Sequence, residues 1–478
     1  MEAPHRGGML KRPMDEKAAI YTSSASFDHE IIEATVYVNA AHIKALAKLG
    51  VISQTAALDA LQELKSFVEK RPQIPATVED VHIFLESLVS RSVPEVGEML
   101  ALGKSRNDAV VAAIKIEAKR RIYGTSLTLL NTVESLLQRS LAEAETVFPV
   151  YTHLQRAAPA TFGFLLQAYA VRFLRGVHHL LEAVKPLEES PLGSAAVAGT
   201  SVPLDRKYLA EILGFKTASV NALEATAARD FLIPVLSALL QTSLVLSSFA
   251  EELVLYCSDE FGFLTMPDEY SATSSIMPQK RNPVVAEIMR TKVGEILGLL
   301  CSVSMILGRQ PSGYSLDLQQ TTPKLWKAFE EIQTSMSLLG EIVKDVRINA
   351  EKALRACGPP AAAVEVANHL TLSKKLPFRK AHQIAGKISA AIASGGLDDH
   401  TLKQIFSEHG LDSPYEIDEI LNLMEPTRVV RRYAVAGSAN PAYVREAGYQ
   451  LLKQVGDLRD EVDRRSREFE NVLMTVLE

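Results

Sequence analysis

Cysteine is scarce in this chain: Cys257, Cys301 and Cys357 are the only three among 478 residues, and they stand far apart. That spacing excludes a disulfide framework and a thiolate zinc site, and it fits a reducing cytoplasm. Basic blocks and aromatic-interleaved basic stripes are missing as well, and the formal net charge is only −6. A nucleic-acid partner is therefore not expected. Strand-type alternation is sparse, with no internal repeat and no low-complexity linker. Residues 1–16 hold Arg, Lys and Pro but no apolar segment, and read as a loose tail rather than a secretory signal. One long stretch lacks charge altogether. Residues 232–250 contain no Asp, Glu, Lys or Arg, enough apolar chain to test for a membrane span. Pro234, Gln241, Thr242 and four serines interrupt it, and Asp230, Glu251 and Glu252 flank it. It reads as a helix buried in a large helical assembly, with no membrane partner.

What is present is helix. With 47% hydrophobic residues the chain can bury a large core, and its length fits two or three domains in one subunit. Apolar periodicity predicts helices over 27–50, 53–70 and 79–90, with Ser53 as a cap and Arg71, Pro72 and Pro75 as breakers. Longer helices follow over 106–146, 160–189, 225–258, 283–307 and 318–354. The expected architecture is all-α: an N-terminal helical domain at 1–105, a central long-helix bundle at 106–356 and a C-terminal helical domain at 357–478. The most apolar helices, around 232–250 and 284–307, have little polar surface to offer water, which predicts burial between subunits of a homo-oligomer.

Three segments carry chemistry. In Thr273-Ser274-Ser275-Ile276-Met277-Pro278-Gln279-Lys280-Arg281-Asn282-Pro283, Pro278 disfavours helix at Met277. Asn282 and Pro283 read as an N-cap and a first helical residue. The helix start and Lys280 together suit an anion, and a serine held against such charge can have its alkoxide stabilised. Ser105-Arg106-Asn107-Asp108 has the spacing of a capping box, with Arg106 and Asn107 left over for a polar substrate. Tyr151-Thr152-His153-Leu154-Gln155-Arg156 falls after Pro149, in a break before a helix that Pro159 can begin. That puts His153 at another helix start.

The Thr273 to Pro283 run closely resembles the signature of the fumarase/aspartase superfamily, and its Met-Pro-Gln-Lys form is similar to the argininosuccinate lyase family. Ser105 to Asp108 and Thr152 to Arg156 also resemble that family. So do Glu79-Asp80-Val81-His82, Pro191 to Gly199, Ala228-Arg229-Asp230-Phe231, Tyr314 and Asp317-Leu318-Gln319, in order across 27–355. The resemblance implies reversible cleavage of argininosuccinate to arginine and fumarate, without cofactor or metal, by a homotetramer whose active sites each draw on three chains. Ser274 matches the family's catalytic serine and Lys280 and Asn282 its carbanion-stabilising groups. His153, held by Glu287, would protonate the leaving nitrogen. Arg106, Asn107, Thr152, Tyr314 and Gln319 would hold the substrate, with Asp80 and His82 nearby.

Helix direction gives a separate argument for sharing. If successive long helices run up and down, those starting near Arg106 and Ala160 begin at opposite ends, so Asn107 and His153 meet only across subunits. The sequence also departs from the family pattern. Asn39 stands at a substrate-binding position usually serine, Thr322 at one usually lysine, Thr273 where glycine is usual, and Ala101-Leu102 where His-Thr is usual. Lys104 replaces an arginine. These changes leave the elimination machinery intact and alter the pocket for the amine half. A related lyase acting on another succinyl compound is thus the rival reading, and an inactive structural homologue a further one. Ala393-Ser394-Gly395, the triplet that cyclises in aromatic ammonia-lyases, reads here as a helix stop.

Overall fold

The computed structural model describes residues 12–70, 78–413 and 415–478. Residues 1–11 of the expected tail, and the expected breakers Arg71, Pro72 and Pro75, lie outside the described residues. The tail ends in a short helix, α1 (Glu16–Thr22), because Asp15 accepts from Lys17 N at 3.0 Å and also from Ala18 N. Four more helices follow: α2 (Ile32–Lys48), α3 (Gln54–Lys70), α4 (Val81–Ser92) and α5 (Pro94–Met99). Ser53 caps α3 through a 3.2 Å bond from Ala56 N, and Asp80 caps α4 through a 2.8 Å bond from Ile83 N. Their apolar faces join the core of the central helices.

The central bundle opens with α6 (Arg106–Ala142), whose capping box of Ser105 and Asp108 is formed as expected. Its 37 residues make a rod of roughly 55 Å at about 1.5 Å per residue. The segment after it departs from the expected loop. β1 (Val147–Thr152) and β2 (Gln155–Thr161) form an antiparallel hairpin in which Pro149 faces Pro159. A two-stranded ribbon has free edges, so neither proline need interrupt a ladder. His153 and Leu154 are the turn, with φ of +54° and +56°. His153 therefore sits at a hairpin tip and not at a helix start. The next helix, α7 (Phe162–Glu182), begins after the cap Thr161, three residues past Pro159. A Cβ on Gly163 would meet Ser140 O at 2.3 Å, so a glycine is required where α7 leaves the hairpin against the end of α6.

Several long helices read from periodicity are broken in the structure. After α8 (Arg206–Ile212), the expected 225–258 helix divides into α9 (Ala222–Ala227) and α10 (Leu232–Tyr256). Pro234 falls in the first turn of α10, where its missing N–H costs nothing, and its ring blocks extension toward Ala228. The expected 283–307 helix divides into α11 (Val284–Met289) and α12 (Lys292–Leu307). Asn282 is not its cap. Arg281 and Asn282 pair with Ala272 and Thr273 as two-residue antiparallel strands, and Pro283 occupies the cap position without a side-chain bond. The expected 318–354 helix becomes α13 (Thr322–Asp345) and α14 (Ala350–Ala356), separated where Arg347 and Ile348 pair with Thr265 and Leu264.

The expected 357–478 unit is shared between two cores. α15 (Ala363–Lys374), α16 (Phe378–Ala393), α17 (Asp399–Ser407), α18 (Ile417–Met424) and α19 (Pro426–Arg432) enclose a small core of Leu370, Ile384, Phe406 and Ile420. The last helix, α20 (Pro441–Thr475), lies along α6 instead, and its Val455, Val462 and Phe469 join the main core. Arg459 ties the two by donating to Asn131 and Glu134. Ser394 ends α16, Gly395 takes φ +69°, and Gly396 N donates to Ala391 O. That is the helix stop expected of Ala393-Ser394-Gly395.

Among the described residues one helix, α10, is long and apolar enough to cross a membrane, and it packs against α7, α12 and α13. α12 is the reverse of an ordinary core helix. Only Ile296 and Val303 on it are fully buried, while Leu297 is 45% and Met305 58% exposed, and Leu244 on α10 is 50% exposed.

Candidate active site

At the N-terminal end of α6 several separate stretches of chain meet. The Arg106 guanidinium donates to Glu79 at 2.6 Å and also to Asp80, so the cap of α4 doubles as a counter-ion. Burial alone would lower Arg106, but Asp80, Tyr314 and Glu79 hold it above the ordinary arginine value. Beside this pair lies a narrow cavity lined by Asp80, His82 and Arg106, by Tyr314 and Gln319 from the turn before α13, and by Thr322 at its start. Five of the expected site residues thus come together, along with the altered position 322. Gln319 donates to Thr22 O at 3.0 Å, which fastens the cavity to α1.

The cavity also contains two groups that motif reading left out of the site. Asp28 is buried and accepts from Ser24 Oγ at 2.7 Å and Val81 N at 3.0 Å. Burial outweighs those bonds and pushes it up to about 6. Arg229 is 2% exposed and precedes the apolar α10. In the sequence Arg229 belongs to the family-like run Ala228-Arg229-Asp230-Phe231, and the only signal for it there is a cation placed just before an apolar helix. His82 faces the same space with Nε2 unpartnered, and burial pushes it down to about 4 despite Asp80. It is a neutral imidazole at neutral pH.

Asn39 does not join these residues as expected. It is buried within α2, donates to Thr35 O at 3.0 Å and accepts from Lys104 Nζ. Both polar ends are engaged inside the chain, so neither is free for a substrate. Lys104, also buried, lies 3.5 Å from Glu86. Asn107 follows Arg106 on α6 and donates to Ala196 O at 2.9 Å, while Ala195 N donates to Asp108. These two bonds hold the 193–199 loop against the start of the helix.

The remaining expected residues lie elsewhere. Thr152 and His153 are exposed at the hairpin, beyond the C-terminal end of α6. Their turn places residues bearing a Cβ in the left-handed region, an unfavourable conformation that the hairpin twist favours. Ser274 lies in the connection between α10 and α11, and its Oγ accepts from Ile276 N at 3.2 Å and Met277 N at 3.1 Å. Two N–H groups aimed at one oxygen stabilise its anionic form. That support replaces the helix-start effect expected here, since α11 has only six residues and Asn282 belongs to a strand. Lys280 is exposed and Glu287 half-buried on α11. Among the described residues no hydrogen bond or ion pair joins His153 to Glu287, or either to the cavity. No cluster of three or more His, Cys, Asp or Glu suited to a metal ion occurs among them either.

Long helices around one core, a second small helical core near the C-terminus and a guanidinium-lined cavity at the start of α6 make up a fold that solved helical lyases share. An EDDS lyase variant with bound fumarate shares that fold at a TM-score of 0.86, with 97% of this chain and 94% of that chain covered at 21% identity. The class II fumarase of Schistosoma mansoni does so at a TM-score of 0.72, with 89% and 97% covered at 16% identity. The family model described as Lyase matches residues 8–298. The argininosuccinate lyase of Methanothermobacter thermautotrophicus is 35% identical over 92% of this chain and 97% of its own length. That of Desulforamulus reducens is 33% identical over 94% of this chain and 99% of its own. The chain belongs to this lyase family of the fumarase/aspartase superfamily.

Proposed function

We propose that the chain cleaves argininosuccinate to arginine and fumarate by reversible carbon–nitrogen elimination, as part of arginine biosynthesis in the cytoplasm. The observation that carries this reading is the convergence of Asp80, His82, Arg106, Tyr314 and Gln319 on one cavity, in a chain similar to argininosuccinate lyases over nearly its full length.

Ser274 is the base. Its oxygen, supported by two backbone N–H groups, removes a proton from the carbon beside a succinyl carboxylate. The electron pair forms the fumarate double bond and expels the guanidinium nitrogen. Lys280 and Asn282 stabilise the doubly charged carboxylate of the carbanion, and losing one such donor costs about 3 kcal/mol. His153, oriented by Glu287, protonates the leaving nitrogen. Arg106, Asn107, Thr152, Tyr314 and Gln319 hold the polar ends of the substrate, and the reaction requires no cofactor or metal.

The site is shared between copies in a homotetramer. Arg106 opens α6 and the His153 hairpin follows its other end, so the length of the helix separates them within one chain. An antiparallel neighbour would bring one group to the other. The exposed apolar residues of α12 and α10 supply the surface for such an assembly.

The rival reading, a lyase for another succinyl compound, draws on Thr322 in the cavity wall and on Asn39 being engaged by Lys104. Fumarate absorbance separates the two. Argininosuccinate and adenylosuccinate are offered separately to the wild-type protein, and release from argininosuccinate alone is expected. Release from adenylosuccinate, or from neither by a folded oligomer, would contradict the proposal.

A further inference from the structure

Arg229 is the cation of the cavity that the fold leaves unanswered. Its guanidinium donates only to backbone carbonyls of its own segment, Ala228 O at 2.8 Å and Thr226 O at 3.4 Å, and its buried Nε has no partner. Among the described residues no carboxylate forms an ion pair with it; Asp230, its neighbour in sequence, acts on Lys115 instead. The contrast with Arg106, paired to both Asp80 and Glu79, is direct. Burial lowers Arg229 to about 10, so it stays charged at neutral pH. A buried unpaired charge of this kind is costly to a fold, and in a cavity it marks a candidate site for an anion.

The cavity around it limits what that anion is. Tyr314 and Gln319 offer neutral polar groups, and Thr322 is neutral as well. Asp28 and Asp80 line the cavity too; Asp80 is paired with Arg106, and Asp28 is bonded to Ser24 and Val81. A guanidinium fork with a free Nε–H suits a carboxylate held through two donors. This rests on the elimination proposed above, which gives the carboxylate beside the reacting carbon to Lys280 and Asn282 and leaves the α-carboxylate of the amine half among the polar ends that the cavity must hold. We propose that Arg229 binds the α-carboxylate of the amine half, supplying at the cavity the positive charge that Thr322 does not. Position 229 then determines whether the enzyme distinguishes an amino-acid leaving group from a plain alkylguanidine.

The test compares two ligands that differ only in that carboxylate: L-arginine, and agmatine, which is arginine with the carboxylate replaced by hydrogen. Both are titrated calorimetrically into wild-type oligomer and into Arg229→Gln and Arg229→Lys oligomers, beside turnover of argininosuccinate by the wild type. The wild type is expected to bind arginine at least about 30-fold more tightly than agmatine, on the scale of a charge-assisted hydrogen bond. Arg229→Gln is expected to bind the two within threefold of each other, with agmatine affinity little changed, and Arg229→Lys to regain part of the preference. A wild type that cleaves argininosuccinate while Arg229→Gln keeps the full preference for arginine would overturn this assignment alone. A wild type that does not cleave it would overturn the functional reading and this assignment with it. Failure of both variants to assemble would make Arg229 a scaffold residue and would equally overturn the proposal.

Discussion

Ser274→Ala is expected to lower the rate of fumarate release from argininosuccinate by about 10³-fold, the order that a positioned proton-transfer group contributes. The loss should fall on kcat, with KM changed little, because the substrate's polar ends are held by other residues. Folding should be almost untouched. The residue is half-buried in a surface connection, where its Oγ accepts from Ile276 N and Met277 N. A change within about 0.5 kcal/mol in denaturant unfolding is expected for such a position. Steady-state kinetics and unfolding on the same preparation check both halves. A variant that keeps wild-type kcat would remove Ser274 from the mechanism.

Arg106→Gln is expected to affect stability as well as activity. The Asp80 side chain is only 3% exposed and accepts both from the Arg106 guanidinium and from Ile83 N as the cap of α4. Removing the cation leaves that carboxylate buried without its counter-charge, a change that costs about 3 kcal/mol. The same substitution removes a cation from the cavity proposed to hold the substrate, so a fall in kcat/KM of about 10²-fold or more is expected on the assembled protein, the scale of a lost charge-assisted contact. Adding Asp80→Asn should recover part of the stability, since it removes the stranded charge, but not the activity. Denaturant unfolding with fumarate kinetics on the single and double variants checks this. Full recovery of activity in the double variant would make Arg106 a structural partner of Asp80 and nothing more.

Helix was legible in the sequence wherever apolar periodicity ran uninterrupted, as along α6, because burial of one stripe is what that periodicity encodes. The breaks were not legible. Those at Ala228 and Arg290 and the end of α13 at Asp345 sit within stretches that are helical by composition. The first precedes Pro234 in the opening turn of α10, a proline that also fits the start of a longer buried stretch, and the last is set by the pairing of Arg347 and Ile348 with distant Leu264 and Thr265, which no local window shows; nothing in the structure explains the break at Arg290. The hairpin was missed for a related reason. Its turn residues are His153 and Leu154, in place of the Asn-Gly type that signals such turns, and Pro149 and Pro159 looked like loop punctuation when each faces the other across the ribbon. In the site, the surplus of a capping box pointed to Arg106 and the family resemblance pointed to Asp80, His82, Tyr314 and Gln319, and the cavity unites all five. Asp28 and Arg229 were not singled out because what distinguishes them is burial and missing partners, properties of the fold. Asn39 was expected in the pocket from its matching position, whereas in the structure Lys104, 65 residues along the chain, engages its side-chain oxygen.

In the proposed oligomer each site takes its serine loop and its guanidinium cavity from different copies of the chain. Mixing tests it most directly. Ser274→Ala and Arg106→Gln chains, each deficient alone, are dissociated together, reassembled as an equal mixture and assayed for fumarate release. If each site takes its serine loop from one copy and its cavity from another, some sites in the mixture regain both native groups. Activity should then rise to roughly a quarter of wild type under random assembly. Mixed oligomers that form and remain as inactive as the two parents would show that the serine and the cavity serve the same chain, and would contradict the shared site.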